Sequence, residues 1–171
     1  MTAAVLALLG WLIGELAAPA PREKFVSSTF EFELPKGWHC QEEGTETVCQ
    51  VGSPPISAIC ILTRKYRGPN DTVEAYGKYL SAPKEIKDKG GTLLRSEVRH
   101  VERKQIGGYL WVSAVHYQSE LPGYVTEYYA TLTSHIAVLV TFSVHQSYTR
   151  KYQKDFATMI SSLKVYQGAL R

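Results

Sequence analysis

Residues 30–49 read FEFELPKGWHCQEEGTETVC. The stretch opens with strict alternation, Phe30, Phe32 and Leu34 on one side and Glu31 and Glu33 on the other, the pattern of a half-buried strand. Pro35 stops that strand, Lys36-Gly37 turns the chain, and Trp38 opens a hairpin. Gly44-Thr45, with Gly at the first central position, suits a two-residue type II′ turn. Counting outward from it, Glu43 faces Glu46, Glu42 faces Thr47, Gln41 faces Val48, and Cys40 faces Cys49 at a non-hydrogen-bonded site. Opposed Cα atoms at such a site lie about 4.5 Å apart, inside the disulfide range of about 4.4–6.8 Å. A cross-strand Cys40–Cys49 bridge is therefore expected, two reduced thiols being the alternative. The third cysteine, Cys60, lies in Ile59-Cys60-Ile61-Leu62 and reads as a buried, inert thiol.

Downstream, Gly52 to Pro55 breaks the chain and an apolar strand follows at Ile56 to Thr63. Asp71 and Glu74 have capping-box spacing ahead of a helix that places Val73, Tyr76 and Leu80 on one side and ends before Pro83. Four consecutive strands come next: Leu93 to Arg103, Tyr109 to Gln118, Tyr124 to Thr133 and Ile136 to His145. Gly107-Gly108, Leu121-Pro122-Gly123 and Ser134-His135 connect them. The runs YLWVSAVHY and IAVLVTFSV are apolar on both faces, so the sheet they build is covered on each side. A last helix, Tyr148 to Ser162, sets Tyr152, Phe156, Met159, Ile160 and Leu163 at helical spacing and needs a sheet to pack on.

Upstream, residues 2–20, TAAVLALLGWLIGELAAPA, are apolar but for Glu15, carry no Lys or Arg, and end in small residues. They read as a secretory signal peptide. An uncleaved anchor is the second reading, since a span takes about 20 mainly apolar residues; a buried helix of the domain is the third. Residues 21–28 read as a short linker, 29–166 as one domain and 167–171 as a tail.

With 171 residues, 44% hydrophobic and 20% charged, the composition fits one globular domain and excludes a disordered, collagenous or polytopic membrane protein. The formal charge of +3 is mildly basic and does not suggest a nucleic-acid partner. The densest basic stretch, Lys84 to Lys104, interleaves seven Lys or Arg with four Asp or Glu and reads as a solvated face, with attraction to a membrane surface or cell-wall polymer as the second reading.

No G-x-S-x-G, H-E-x-x-H, C-x-x-C, Walker or G-x-G-x-x-G motif occurs, and His39, His100, His116, His135 and His145 fall on different elements. One rival site has His116 and Glu127 nearly opposite on neighbouring strands, yet catalytic zinc takes three protein ligands, so a structural His–Glu contact is the simpler expectation. Asn70-Asp71-Thr72 is a glycosylation sequon and equally a helix cap. The 11 tyrosines supply strand propensity and core, and a sheet bearing Tyr124, Tyr128 and Trp111 is the candidate binding surface. Alternation puts Tyr128 and Tyr129 on opposite faces.

Phe30 to Trp38, a Phe-rich strand followed by Leu-Pro-Lys-Gly-Trp, resembles the opening of the PsbP-like superfamily. Phe156 with Met159-Ile160-Ser161-Ser162-Leu163-Lys164 is similar to that family's terminal helix and short strand. The likeness spans roughly residues 28–166. It implies an α+β sandwich, a mostly antiparallel sheet of about seven strands with helices packed on both faces, and a non-catalytic accessory or binding role without a cofactor. The matching positions are packing and turn residues, so no site carries over. The expectation is an exported, periplasmic or secreted accessory protein of the bacterial cell envelope that binds a protein partner and aids assembly or stability of a larger complex. The alternatives are a small periplasmic enzyme with a His-containing site and a structural subunit tethered to the inner membrane through residues 2–20.

Overall fold

Ser27 decides how the described chain begins. Its hydroxyl accepts from the Phe30 amide at 2.9 Å, turning Lys24–Val26 (β1) back onto Phe30–Glu33 (β2) as an antiparallel pair. The computed structural model describes residues 23–52, 56–87, 90–119 and 121–166. The apolar leader, residues 1–20, and the tail, 167–171, lie outside these. The stretch read as a linker, 21–28, is corrected by β1: three of its residues pair with β2, with Phe25 opposite Phe32. A two-residue strand, Lys164–Val165 (β12), completes this small sheet from the other side of β2. Glu31 ties it together, accepting from Lys24 at 2.7 Å, Lys164 at 3.3 Å and the Tyr166 hydroxyl. The Lys24 ammonium foremost, then Tyr166 and Lys164, hold the Glu31 carboxyl down at about 2.

The main sheet has seven antiparallel strands. From one edge they are Trp38–Glu43 (β3), Glu46–Val51 (β4), Ala58–Tyr66 (β5), Ile136–His145 (β11), Tyr124–Leu132 (β10), Tyr109–Tyr117 (β9) and Glu97–Ile106 (β8). Gly44 takes φ +63° while Thr45 stays out of the left-handed region, the type II′ pattern. The β3–β4 register is the one the turn dictates, Glu43 with Glu46 and Cys40 with Cys49. Leu93 does not open the first of the long strands. Leu93–Arg95 (β7) pairs instead with Glu85–Lys87 (β6) as a separate hairpin, because Ser96 turns inward and exchanges bonds with the Lys84 backbone at 2.7 and 2.8 Å.

Two helices cover the sheet, one on each face. Thr149–Ser162 (α2) enters from a 3₁₀ turn at Gln146–Tyr148 and buries Tyr152, Phe156, Met159 and Ile160. This stripe packs with Val138, Val140 and Phe142 of β11, Trp111 of β9 and the small sheet's Phe30 and Phe32 in one cluster. Phe142 and Phe156 stack with centroids 4.4 Å apart. Val73–Ser81 (α1) covers the opposite face, where Leu80 packs with Val112, Ala114, Tyr128 and Ala130. Its N-cap is Thr72, whose hydroxyl accepts from the Ala75 amide at 3.0 Å. Asp71, the cap expected from spacing, lies one residue too early. Its carboxylate takes the Gly68 amide at 2.6 Å and the Lys65 ammonium at 2.8 Å, and Lys65 foremost holds its pKa down.

Candidate functional site

Strand register gathers three connections at one end of the main sheet. Tyr117 ends β9 opposite Val125, Tyr124 begins β10 opposite His145, and Ala58 begins β5 opposite Val144. Ile56 and Ser57, the 118–123 connection and the Gln146–Tyr148 turn therefore converge. The Gln146 amide donates to the Gly123 carbonyl at 3.1 Å and locks the last two together. A cleft of about 400 Å³ opens here, lined by Ile56, Ser57, Tyr124, His145, Ser147 and Tyr148.

Leu121, in the adjoining connection, is 51% exposed, and Tyr117, which ends β9, 37%. Apolar and polar side chains share the lining of the cleft, of which Ile56 is 37% and Tyr148 45% exposed. The rings are braced: Tyr124 meets His145 edge-on at 5.5 Å, His145 meets Tyr148 at 6.2 Å, and Tyr148 meets the buried Tyr152 at 6.5 Å. The Lys151 ammonium lies 4.8 Å from the Tyr152 ring centroid and 5.9 Å from that of Tyr148. His145 Nδ1 accepts from the Ser147 amide at 3.3 Å, which fixes its ring. Gln118, with φ 58°, is a left-handed non-glycine residue, a conformation retained only where its surroundings impose it; its amide donates to the Tyr124 carbonyl at 2.8 Å. Aromatic anchors already held in place lose little side-chain entropy when a partner covers them, which is the character of interface hot spots.

A second cleft of about 390 Å³ lies between α2 and strands β8 and β10, with Lys104, Glu127, Tyr129, Phe156 and Ile160 among its lining. The Tyr129 hydroxyl donates to Glu127 Oε2 at 3.1 Å, and the Lys104 ammonium sits 4.9 Å from the Tyr129 ring centroid. Burial pushes the Glu127 pKa up and outweighs the opposing pull of Tyr129 and Lys104. The Lys104 ammonium also meets Glu102 at 2.8 Å, so charge in this cleft is largely compensated from within.

Of the three residues expected on a binding surface, only Tyr124 borders the end cleft. Trp111 is fully buried and Tyr128 is 3% exposed, and the two lie on opposite faces of the sheet: Trp111 donates to the Ile106 carbonyl at 3.1 Å and Tyr128 to Ser119 at 3.0 Å. Both are core residues, a correction that follows from the covered faces of β9 and β10. Tyr128 and Tyr129 do point to opposite sides. The His116–Glu127 site is not formed. His116 pairs with Thr126, and Glu127 with Val115, which puts the two side chains on opposite faces. His116 is instead buried between α1 and Ser96, donating from Nε2 to the Leu80 carbonyl at 2.8 Å while Nδ1 meets Ser96 Oγ at 3.1 Å. Among the described residues, no three His, Cys, Asp or Glu side chains come together as a metal site, and no helix is long and apolar enough to cross a membrane. Cys40 and Cys49 are bridged, with Cα atoms 4.0 Å apart. Cys60 is a buried free thiol whose pKa burial raises to about 12.

Leu121, Tyr148 and Ile56 escaped the sequence reading. The available signal was an apolar residue inside a Pro-Gly turn, and a Tyr preceding rather than joining the buried stripe of α2.

This arrangement of sheet and helices is shared with solved proteins. Cyanobacterial PsbP (CyanoP) from Synechocystis superposes with a TM-score of 0.60 at 12% identity, over 88% of this chain and 95% of that one. LpqN, involved in cell envelope biogenesis of Mycobacterium tuberculosis, gives 0.59 at 8% identity over 85% of each chain. The Saccharomyces cerevisiae Ran-binding protein Mog1p gives 0.53 at 10% identity, over 85% of this chain and 96% of that one. No protein-family model and no curated protein sequence matches. The chain has the PsbP-like fold, an α+β fold built on a mostly antiparallel sheet.

Proposed function

We propose that this protein is an exported, non-catalytic accessory factor of the bacterial cell envelope that binds a protein partner through the loop end of its main sheet and supports assembly or stability of a larger complex. The observation that carries the reading is the cleft at the loop end, lined by exposed Ile56 and Tyr148 and half-buried Tyr124, with the Tyr124 and Tyr148 rings braced through His145 and exposed Leu121 in the adjoining connection. Scattered exposed apolar residues need no explanation, whereas a contiguous group on rigid backbone marks an interaction surface. The fold adds weight: Mog1p is a Ran-binding protein and LpqN is involved in cell envelope biogenesis. Export is supported by the Cys40–Cys49 bridge, since disulfides persist in oxidising compartments. The leader at residues 2–20 serves export as a cleaved signal, or keeps the domain at the inner membrane as an anchor.

The test is affinity capture from the native envelope with the wild-type domain and with Leu121→Asp and Tyr148→Asp. The reading expects one reproducible protein partner with wild type, lost with either variant although thermal stability is unchanged. Equal recovery by wild type and both variants would overturn it.

A further inference from the structure

The three cysteines form a row. Cys40 lies opposite Cys49 on the β3–β4 pair, and Cys49 lies opposite Cys60 on the β4–β5 pair. Directly opposed residues of an antiparallel pair point to the same face, so all three sulfurs lie on the α2 side of the sheet. The spacings differ in kind. Cys40 and Cys49, with Cα atoms 4.0 Å apart, occupy a close, non-hydrogen-bonded site. On the β4–β5 side, the Arg64 amide donates to the Thr45 carbonyl at 3.0 Å, which makes Thr45 and Arg64 a hydrogen-bonded pair. Such pairs recur at every second position of an antiparallel ladder. Cys49 and Cys60 stand four positions farther along the same register and so form a hydrogen-bonded pair too. Opposed Cα atoms at such a pair lie about 5.5 Å apart, near the commonest separation for a disulfide, while the Cβ atoms lie about 5.5 Å apart against the roughly 3.5–4.5 Å a disulfide takes, so a Cys49–Cys60 bond requires β4 and β5 to draw together by about 1 Å.

We propose that Cys40, Cys49 and Cys60 form an intramolecular thiol–disulfide exchange site in which Cys49 bonds to either neighbour. Cys60 gives its proton to a solvent base, and its thiolate attacks Cys49 Sγ. The Cys49–Cys60 bond forms as the Cys40–Cys49 bond breaks, and Cys40 leaves as a thiolate and takes up a proton. One disulfide and one thiol enter and leave, so no external oxidant or reductant is consumed. The consequence is directional. With the Cys40–Cys49 bond, edge strand β3 is stapled to the sheet and the free thiol is sealed in the core; with Cys49–Cys60, β4 is stapled to β5 and the free thiol moves to half-buried Cys40 on β3, which has a sheet neighbour on one side only. Cys60 is buried beneath α2 and the small sheet, among Phe32, Phe156, Met159 and Leu163, which keeps it protonated in the closed fold, so exchange waits on opening of that face. A partner or mild denaturant that loosens α2 from the sheet is the trigger.

The experiment uses the full chain with Cys40→Ser, oxidised in a glutathione redox buffer at about pH 8, near the ordinary thiol pKa of about 8.5, then denatured, alkylated and mapped by non-reducing peptide mass spectrometry. The expected result is a Cys49–Cys60 cross-linked peptide with no alkylated cysteine. Alkylation of both Cys49 and Cys60 in the variant, with Cys60→Ser retaining the Cys40–Cys49 bridge under the same treatment, overturns the proposal. Because Cys40→Ser can also reach the bridge from unfolded chain, wild type is held in sub-denaturing urea while still folded by circular dichroism. Cys49–Cys60 peptide with alkylated Cys40 is expected to accumulate with time and faster at higher pH; its absence when the amides of α2 and β5 have exchanged with solvent deuterium overturns the proposal independently.

Discussion

Trp38 Nε1 donates to Asp155 Oδ2 at 2.9 Å, joining the first residue of edge strand β3 to the second turn of α2. The indole also packs against Phe142, centroids 6.2 Å apart, and edge-on to Tyr152 at 6.1 Å. The Gly-Trp element thus anchors the terminal helix over the sheet, and Tyr152 in turn braces Tyr148 at the end cleft. Trp38→Phe keeps an aromatic ring in the same packing and strands the carboxylate of Asp155. A bond to a charged group contributes about 1.5–3 kcal/mol, and equilibrium urea unfolding is expected to register a loss of that order with the slope unchanged.

Reducing the Cys40–Cys49 bridge releases a loop that spans a sequence separation of 9 residues. The chain-entropy relation gives about 2.5 kcal/mol for closing a loop this short. Unfolding of the wild-type protein with and without a phosphine reductant is expected to differ by about that amount.

Gly107 sits in the β8–β9 turn with φ +58°, and a Cβ there would lie 2.7 Å from the Ser161 backbone carbonyl oxygen. Neither turn nor helix end can yield cheaply. Gly107→Ala is therefore expected to cost more than about 1 kcal/mol, read as a lowered midpoint in thermal melts, whereas Gly108→Ala meets no atom within 4 Å and pays only for its own backbone conformation.

Burial raises the Glu127 pKa above its ordinary 4.5. A carboxyl whose folded pKa is raised favours the native state when protonated, so its stabilising contribution is present below the ordinary value and disappears as pH rises through the folded value. Glu127→Gln is expected to raise the melting temperature at neutral pH, with the advantage shrinking as pH falls toward 4.5 and absent below it. A variant equal to wild type at every pH contradicts this account of the second cleft.

Much of the fold was legible from local chemistry. The Gly44-Thr45 turn and the alternation around it specify the pairing of Cys40 with Cys49, because a hairpin register has one degree of freedom and the turn removes it. The two-sided apolar runs of β9 and β11 announced helices above and below. Less was legible where a side chain answers to distant partners. Ser96 breaks a long strand into β7 and β8 through bonds to Lys84 and His116. Trp111 and Tyr128 satisfy their polar atoms inside the core, so an aromatic on a strand does not reveal whether its face is covered. The end cleft depends on which three loops the sheet order brings together, and that order joins β5 to β11, whose first and last paired residues stand 70 and 86 positions apart in the sequence.

Binding through the loop end is tested most directly by placing a photo-crosslinking amino acid at position 148, and in a control at Tyr66, which is 61% exposed at the opposite end of β5, followed by irradiation of intact cells. The account predicts a discrete protein adduct from position 148 and none from position 66. No adduct from 148, or the same adducts from both positions, contradicts it.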